Sequence, residues 1–395
     1  MYYWLQINRI KAMDAVGFIT EVVTRFGGRY FGSQQEKEAQ LYTESVFKNY
    51  CNSTSVVPFE SALEAHFHSL KLFCAVYFVT LGLYQISVPV AAIVAVVNTI
   101  LFLGHFVTYR HWLDFLYQKK TSYNVIGDIE PLSEATSTII FAGHIDSVKE
   151  FKWWFKLKKL GGILSVIAGV LFLLLAIFMI VAAFVDGAWT QYVWYFFLIS
   201  SPILVVYFNM HGENVVDGAL DNLTGVAMTV EMAKVFAANP LKNTRIRCVS
   251  FGAEEAGLRG AWAYAKANRN QLLAENAVLI NIDTIKDEEF LTIGTRETNT
   301  LVTFDKVLIA RMERSFSALN VPVKKLPFDI GASDASAFRI LGLPALCIIG
   351  LRTDTLDPCY HTRLDNLDHL DGRAMEKLTG VLTHFVTDWD KRSQE

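Results

Sequence analysis

Hydrophobic residues follow two different patterns along this chain. Two stretches are continuously apolar. The 38 residues between Lys71 and Arg110 contain no Lys, Arg, Asp or Glu, and the 53 between Lys159 and Glu213 contain only Asp186. A single helix of 38 residues would be about 57 Å long, roughly twice the hydrocarbon thickness of a bilayer, so each stretch reads as a hairpin of two spans. The first hairpin is expected at 67–84 and 88–108, turning at Gln85-Ile86-Ser87. The second is expected at 160–185 and 190–208, turning at Asp186-Gly187. Buried core helices are the alternative, and the 24 charge-free residues from Gly161 to Phe184 weigh against it.

Elsewhere short apolar runs alternate with stretches of helical spacing. Thr138–Ala142, Ile246–Phe251, Val278–Ile282 and Ala345–Ile349 have strand length, as do Val56–Phe59 and Tyr123–Gly127 on either side of the first hairpin. Gly225–Ala237, Gly260–Leu273 and Leu301–Leu319 read as helices. The alternation predicts an α/β fold, a mixed central sheet with helices on both faces, with functional groups just beyond the C-terminal ends of strands. One globular domain would then be interrupted twice, in the order 1–66, hairpin 67–108, 109–159, hairpin 160–208 and 209–395.

Four spans return the chain to the side on which it began. Lys71, Arg110, Lys119, Lys120, Lys149, Lys152, Lys156, Lys158 and Lys159 flank the spans on that side, whereas the hairpin turns hold no Lys or Arg. The positive-inside rule makes the shared side cytoplasmic. Met1 to Gln6 lack the apolar core of a signal peptide, and five irregularly spaced cysteines give no disulfide framework. The composition, 52% hydrophobic and 19% charged, averages two unlike parts, about 304 residues of globular sequence and two hairpins. The formal net charge of -3 offers no cationic field, which argues against a nucleic-acid partner. His66, His68 and His111 flank the first hairpin and read as interfacial side chains, with His66-x-His68 as a metal pair the weaker reading.

Candidate chemistry collects at the strand ends. Gly143-His144-Ile145-Asp146-Ser147 follows the first apolar run, Gly252-Ala253-Glu254-Glu255 the second, and Asp283 ends the third. Asp217-Gly218-Ala219-Leu220-Asp221-Asn222 precedes a helix, and Tyr360-His361-Thr362 precedes Asp365. Two imidazoles and several carboxylates form a ligand set suited to Zn²⁺. Taken singly, His144 could be a core histidine, Asp221 and Asp365 helix caps, and Glu254-Glu255 a solvated pair. Five clusters at strand ends and sharp loops favour the ligand reading.

These residues, in this order, resemble the motifs of the M28 family of dinuclear zinc aminopeptidases, together with Gly28 to Ser33 and Glu36, which resemble the family's first helix, and Ser333-Asp334 with Phe338, which resemble its late substrate-side loop. Ala261 departs from the serine of many relatives. The resemblance implies two Zn²⁺ ions, or other divalent metals, held by His144, Asp221, Glu255, Asp283 and His361, with Asp221 bridging. It implies Glu254 as general base for a metal-activated water, and Asp146 as the group that fixes the His144 tautomer. The implied activity is hydrolysis of the N-terminal amide of peptide substrates, here apolar or bilayer-associated because a hairpin enters between His144 and Asp221. An amidase acting on an aminoacylated lipid and a noncatalytic scaffold are the alternatives. A transporter is disfavoured, since the spans hold almost no ionisable residues.

Overall fold

The computed structural model describes residues 14–185, 187–352 and 355–392, so the reading of Met1 to Gln6 and the Asp186 half of the second turn lie outside the described residues. The chain divides into two compact units, Met1–Ser61, Lys119–Lys149 and Asn214–Glu395 in the first, and Ala62–Gln118 and Glu150–Glu213 in the second.

Among the described residues eleven strands are formed: β1 Ser53–Ser61, β2 Lys120–Ile129, β3 Ser137–His144, β4 Lys149–Phe151, β5 His211–Val215, β6 Thr244–Phe251, β7 Ala277–Ile285, β8 Thr292–Glu297, β9 Val302–Thr303, β10 Lys324–Phe328 and β11 Ala345–Gly350. The first unit is built on a mixed sheet in the order β1-β2-β6-β3-β7-β11-β8-β10, with β9 on β8, while β4 and β5 pair separately. Its centre is parallel: β3 runs alongside both β6 and β7, and β11 alongside β7. Every residue of β3 is buried, as expected of a β-branched apolar run covered on both faces. Pro58 lies in β1, an edge strand that pairs only with β2, where a missing N–H is tolerated.

Helix Leu223–Ala238 lies against β3, β6 and β7 and packs with helices Ala15–Phe26 and Arg373–Arg392. Its approach to β3 is so close that a Cβ on Gly143 would sit 2.5 Å from the carbonyl carbon of Gly225. Helix Arg259–Ala274 packs with Asp334–Ile340. Two expectations change. The helix read from Leu301 begins only at Lys306, because Asp305 caps it with bonds to the Val307 and Leu308 amides and Val302–Thr303 pairs with β8 instead. The Gly28–Ser33 motif is loop rather than helix, since Ser33 caps a helix starting at Gln34.

Among its described residues the second unit holds four helical segments, Ala65–Tyr84, Val88–Val107, Lys159–Phe184 and Trp189–Phe208, long and apolar enough to cross a membrane by length and composition. The second ends in a π-helical turn, Phe102–Val107, and the fourth breaks into a 3₁₀ turn at Ser201–Leu204 where Pro202 interrupts the backbone ladder. One aromatic cluster joins all four outer ends. His66 stacks on Phe106 and Tyr109, and Phe67 lies 5.8 Å from Phe151 and 4.3 Å from His211. Each pair of consecutive segments therefore begins and ends at one pole of the bundle. Polar side chains inside it bond to helix carbonyls: Asn98 to Phe73, Thr99 to Phe172 and Tyr77 to Phe197. His68 pairs with Glu64 at 3.6 Å while His66 is buried among rings, so the two do not form a metal pair.

Candidate metal centre

The parallel strands deliver the site. His144 is the last residue of β3, Glu254 and Glu255 follow β6, and Asp283 lies two residues before the end of β7. Asp221 sits in the turn before helix Leu223–Ala238, with a cis peptide to Asn222. The cap of that helix is Asn222, whose side chain accepts from the Gly225 and Thr284 amides and donates to the Ile282 carbonyl, tying the turn to β7. Glu254 and Glu255 are buried, not a solvated pair.

The two oxygens of Asp221 face different imidazoles. Oδ1 is 3.2 Å from His144 Nε2, and Oδ2 is 3.3 Å from His361 Nε2, which is also 3.3 Å from Glu255 Oε1. Two groups with the spacing of metal donors result, His144-Asp221-Asp283 and Asp221-Glu255-His361, each with its atoms within 4.8 Å of one another. Donors about 2.0–2.2 Å from a tetrahedral Zn²⁺ stand roughly 3.3–3.5 Å apart, so the contacts made by Asp221 have the separation that such an ion requires. Glu254 belongs to neither group; its Oε2 lies 3.7 Å from His144 Nε2.

A surrounding layer of buried charges grips backbone. Asp146 accepts from the Glu254 and Glu255 amides at 3.0 Å each, and its Oδ1 lies 3.5 Å from His144 Nδ1. The Asp146 carbonyl is 3.2 Å from the same nitrogen. Both neighbours of Nδ1 are acceptors, so Nδ1 carries the proton and Nε2 presents its lone pair to the site. Glu36 accepts from the amides of Gly32 and Ala253 and from the Ser122 hydroxyl. Asp365 caps no helix; it accepts from the Leu220 and Asp221 amides at 2.6 and 3.2 Å. Arg29, fully buried, donates to the carbonyls of Gly27, Ile145, Asp217 and Gly218. Glu297 holds the Ser333 amide and hydroxyl and the hydroxyls of Thr300 and Ser336. None of these anchoring roles shows in local periodicity, although Arg29 and Glu36 fall within the motif noted above. Ala253, Thr284 and His361, all flanking or within the site, have left-handed φ of 53°, 48° and 56°, conformations that persist only where surrounding bonds impose them.

Burial and the repulsion of neighbouring carboxylates dominate the electrostatics. Burial pushes Glu254 well above its ordinary value; His144 opposes the rise, and Asp334, Glu255 and Asp283 add to it. Burial likewise raises Asp283 to about 6 and Asp365 to about 8, with Asp221 contributing to both. Burial works against the imidazolium of His361, but Glu255 and Asp221 outweigh it and lift the pKa to about 10. Asp221 moves the other way: its two imidazole partners more than offset burial and hold it below the usual carboxylate range. Asp334 is completely buried with neither oxygen hydrogen-bonded, and burial raises it well above its ordinary value. A compact, buried, anionic donor set of this kind fits divalent cations.

Residues 198–386 match the model of peptidase family M28. Aminopeptidase YwaD of Bacillus subtilis is 25% identical over 201 residues, 48% of this chain and 42% of that protein, so the match spans less than half of the relative's length. Among solved structures, a zinc aminopeptidase from Bacillus subtilis superposes with a TM-score of 0.58 at 15% identity, covering 95% of this chain and 94% of that one. A glutaminyl cyclase from an Acidobacteriales bacterium gives 0.58 at 14% identity, covering 96% and 94%. At such identities the structural likeness shows the fold, a mixed sheet flanked by helices. Over residues 198–386 the chain is thus similar to peptidase family M28, the family whose motifs its sequence resembles.

Proposed function

We propose that this chain is a zinc-dependent aminopeptidase, a hydrolase that removes N-terminal residues from peptides and is held in a membrane by four spans. The carrying observation is the pair of donor groups sharing Asp221, with a buried carboxylate, Glu254, beside them and outside both. His144, Asp221 and Asp283 would hold one ion, and Asp221, Glu255 and His361 the second. Bound divalent cations supply Lewis acidity toward a scissile carbonyl and a lowered pKa for water. Glu254 then takes the proton from the attacking water and delivers it to the departing amine. Asp146 keeps the His144 lone pair directed inward and fixes Glu254 through its own amide. The complete donor set weighs against a noncatalytic scaffold.

The four apolar helices support a multi-pass protein whose spans start and finish on the cytoplasmic side, where the flanking lysines lie. A hairpin that enters the chain between His144 and Asp221 supports apolar or bilayer-associated substrates, either hydrophobic peptides or an aminoacylated lipid. Metal analysis of purified protein, with a panel of aminoacyl amides and glutaminyl peptides, tests the reading. Two metals per chain and release of N-terminal residues are expected. Cyclisation of glutaminyl peptides without hydrolysis, or a protein that binds no divalent metal, would overturn it. Equal cleavage of short hydrophilic and bilayer-associated amides would remove the substrate preference alone.

A further inference from the structure

The segment Lys149–Leu160, at the start of the third apolar helix, reads Lys-Glu-Phe-Lys-Trp-Trp-Phe-Lys-Leu-Lys-Lys-Leu. Its single acid, Glu150, is buried, whereas Lys156, Lys158 and Lys159 are exposed. Among the described residues none of these three lysines forms a salt bridge. Lysines elsewhere behave differently: Lys48, Lys325 and Lys377 each meet a glutamate at 2.6–2.8 Å.

The segment is held in a fixed shape. Residues Lys152–Leu157 form a short helix that ends at Lys158 in a left-handed conformation, φ 50°, from which the long helix departs. Trp154 Nε1 donates to Ser165 Oγ on that helix at 3.1 Å, and Trp153 Nε1 donates to the Asn209 carbonyl at 2.9 Å. A Cβ on Gly161 would lie 2.3 Å from the Trp153 carbonyl oxygen, so the short helix is folded tightly against the first turn of the long one. The indole rings are used for anchoring, and the ammonium groups are left outside. From the same point Leu160, Ile163, Val166, Ile167 and Val170 continue as an exposed apolar stripe along the long helix. Positive charge near the helix ends is confined to this pole. The turns at the other pole, where Tyr84 meets Trp194 and Phe178 meets Trp189, hold no Lys or Arg in the sequence.

We propose that Lys156, Lys158 and Lys159 form a docking platform for the phosphodiester headgroups of anionic lipids, in a proposal that rests on reading the four helices as membrane spans. Ammonium groups fixed at the end of an exposed apolar stripe lie at headgroup depth when the stripe is in hydrocarbon. A soluble polyanion would match the lysines and leave the stripe and Leu157 uncovered.

The test uses the full chain in neutral detergent micelles, titrated with fluorescent phosphatidylglycerol or phosphatidylcholine. Phosphatidylglycerol is expected to bind at least ten-fold more tightly, and the preference to shrink as salt is raised. A K156Q/K158Q/K159Q variant is expected to lose that preference, at about five-fold per lysine, with unchanged thermal unfolding in neutral micelles. Equal binding of the two lipids, an unaffected variant, or displacement of the lipid by inorganic phosphate at matched concentration would overturn the platform. Carbonate extraction of the source membranes reports separately on the spans. Release of the chain would remove the membrane reading itself, whereas an integral chain indifferent to phosphatidylglycerol would sink this proposal only.

Discussion

Replacing Glu297 by Gln isolates the energetic role of one buried acid without touching the metal centre. The Glu297 carboxyl is pushed by burial from its ordinary 4.5 to about 7, even though Ser333, Ser336 and Thr300 all bond to it. A group whose pKa is higher in the fold than in the unfolded chain favours the fold fully below its unfolded value. That contribution is lost as pH rises through the folded value. The window therefore runs from pH 4.5 to about 7, and at about 1.4 kcal/mol per pKa unit the loss across it is roughly 3 kcal/mol. Glutamine does not ionise, yet it satisfies the same partners. Its carbonyl accepts from the Ser333 amide and hydroxyl as Oε1 does now, and its amide donates to the Ser336 and Thr300 hydroxyls, which can accept. Thermal unfolding of both proteins in chelator-containing micelles, repeated between pH 4.5 and 8, gives the comparison. The variant should gain roughly 3 kcal/mol on the parent across the window, about 5 °C for a domain of this size. Contributions from Glu36, Asp365 and the ligands are common to both proteins and cancel in the difference. Parallel curves for the two would refute the reasoning.

Three further expectations follow from the site. Glu254→Gln should retain its metal by elemental analysis while turnover falls about 10²- to 10⁴-fold, because the side chain lies outside both donor groups; loss of metal in that variant would make Glu254 a ligand instead. Gly143→Ala should destabilise by roughly 1–3 kcal/mol or more, since the new methyl meets backbone of Gly225 at 2.5 Å and neither β3 nor the facing helix can yield; a neutral effect on unfolding would contradict that packing. Removing metal with a chelator should abolish peptide hydrolysis and lower the unfolding temperature, with about 2.7 kcal/mol restored when zinc is returned at a hundredfold excess over its dissociation constant. Unfolding indifferent to chelator and zinc would count against the centre.

Legibility of the fold differed with the range of the forces that produce it. The sheet centre was readable because β3, β6, β7 and β11 are buried on both faces and so appear as predominantly apolar runs, and the four apolar helices because Lys71 and the terminal Lys159 are the only charges in them. Leu301–Asp305 was misread because its apolar spacing continues that of the following helix. Only the pairing of Val302–Thr303 with β8 and the carboxylate of Asp305 separate them. The candidate ligands lie where parallel strands and sharp turns end, which is a rule about topology and can be applied to a sequence.

The anchoring acids obey no such rule, because their partners are remote. Glu36 bonds to an amide 217 positions away, Asp365 to one 145 away, and Asp146 to one 108 away. No window of sequence contains both members of any of these pairs. Nor does residue type distinguish them, since Glu36 and Asp365 are the same two residue types as Glu255 and Asp221 and are as deeply buried. What separates the two sets is the partner each oxygen meets. Glu36, Asp146 and Asp365 have oxygens bonded to backbone amides, which fixes loops bearing left-handed residues such as Ala253. Asp221 and Glu255 turn theirs toward imidazole nitrogens instead, at separations that also suit donors to one cation. The first set makes the second possible: like charges packed this closely stay in place only when the backbone that carries them is held from behind.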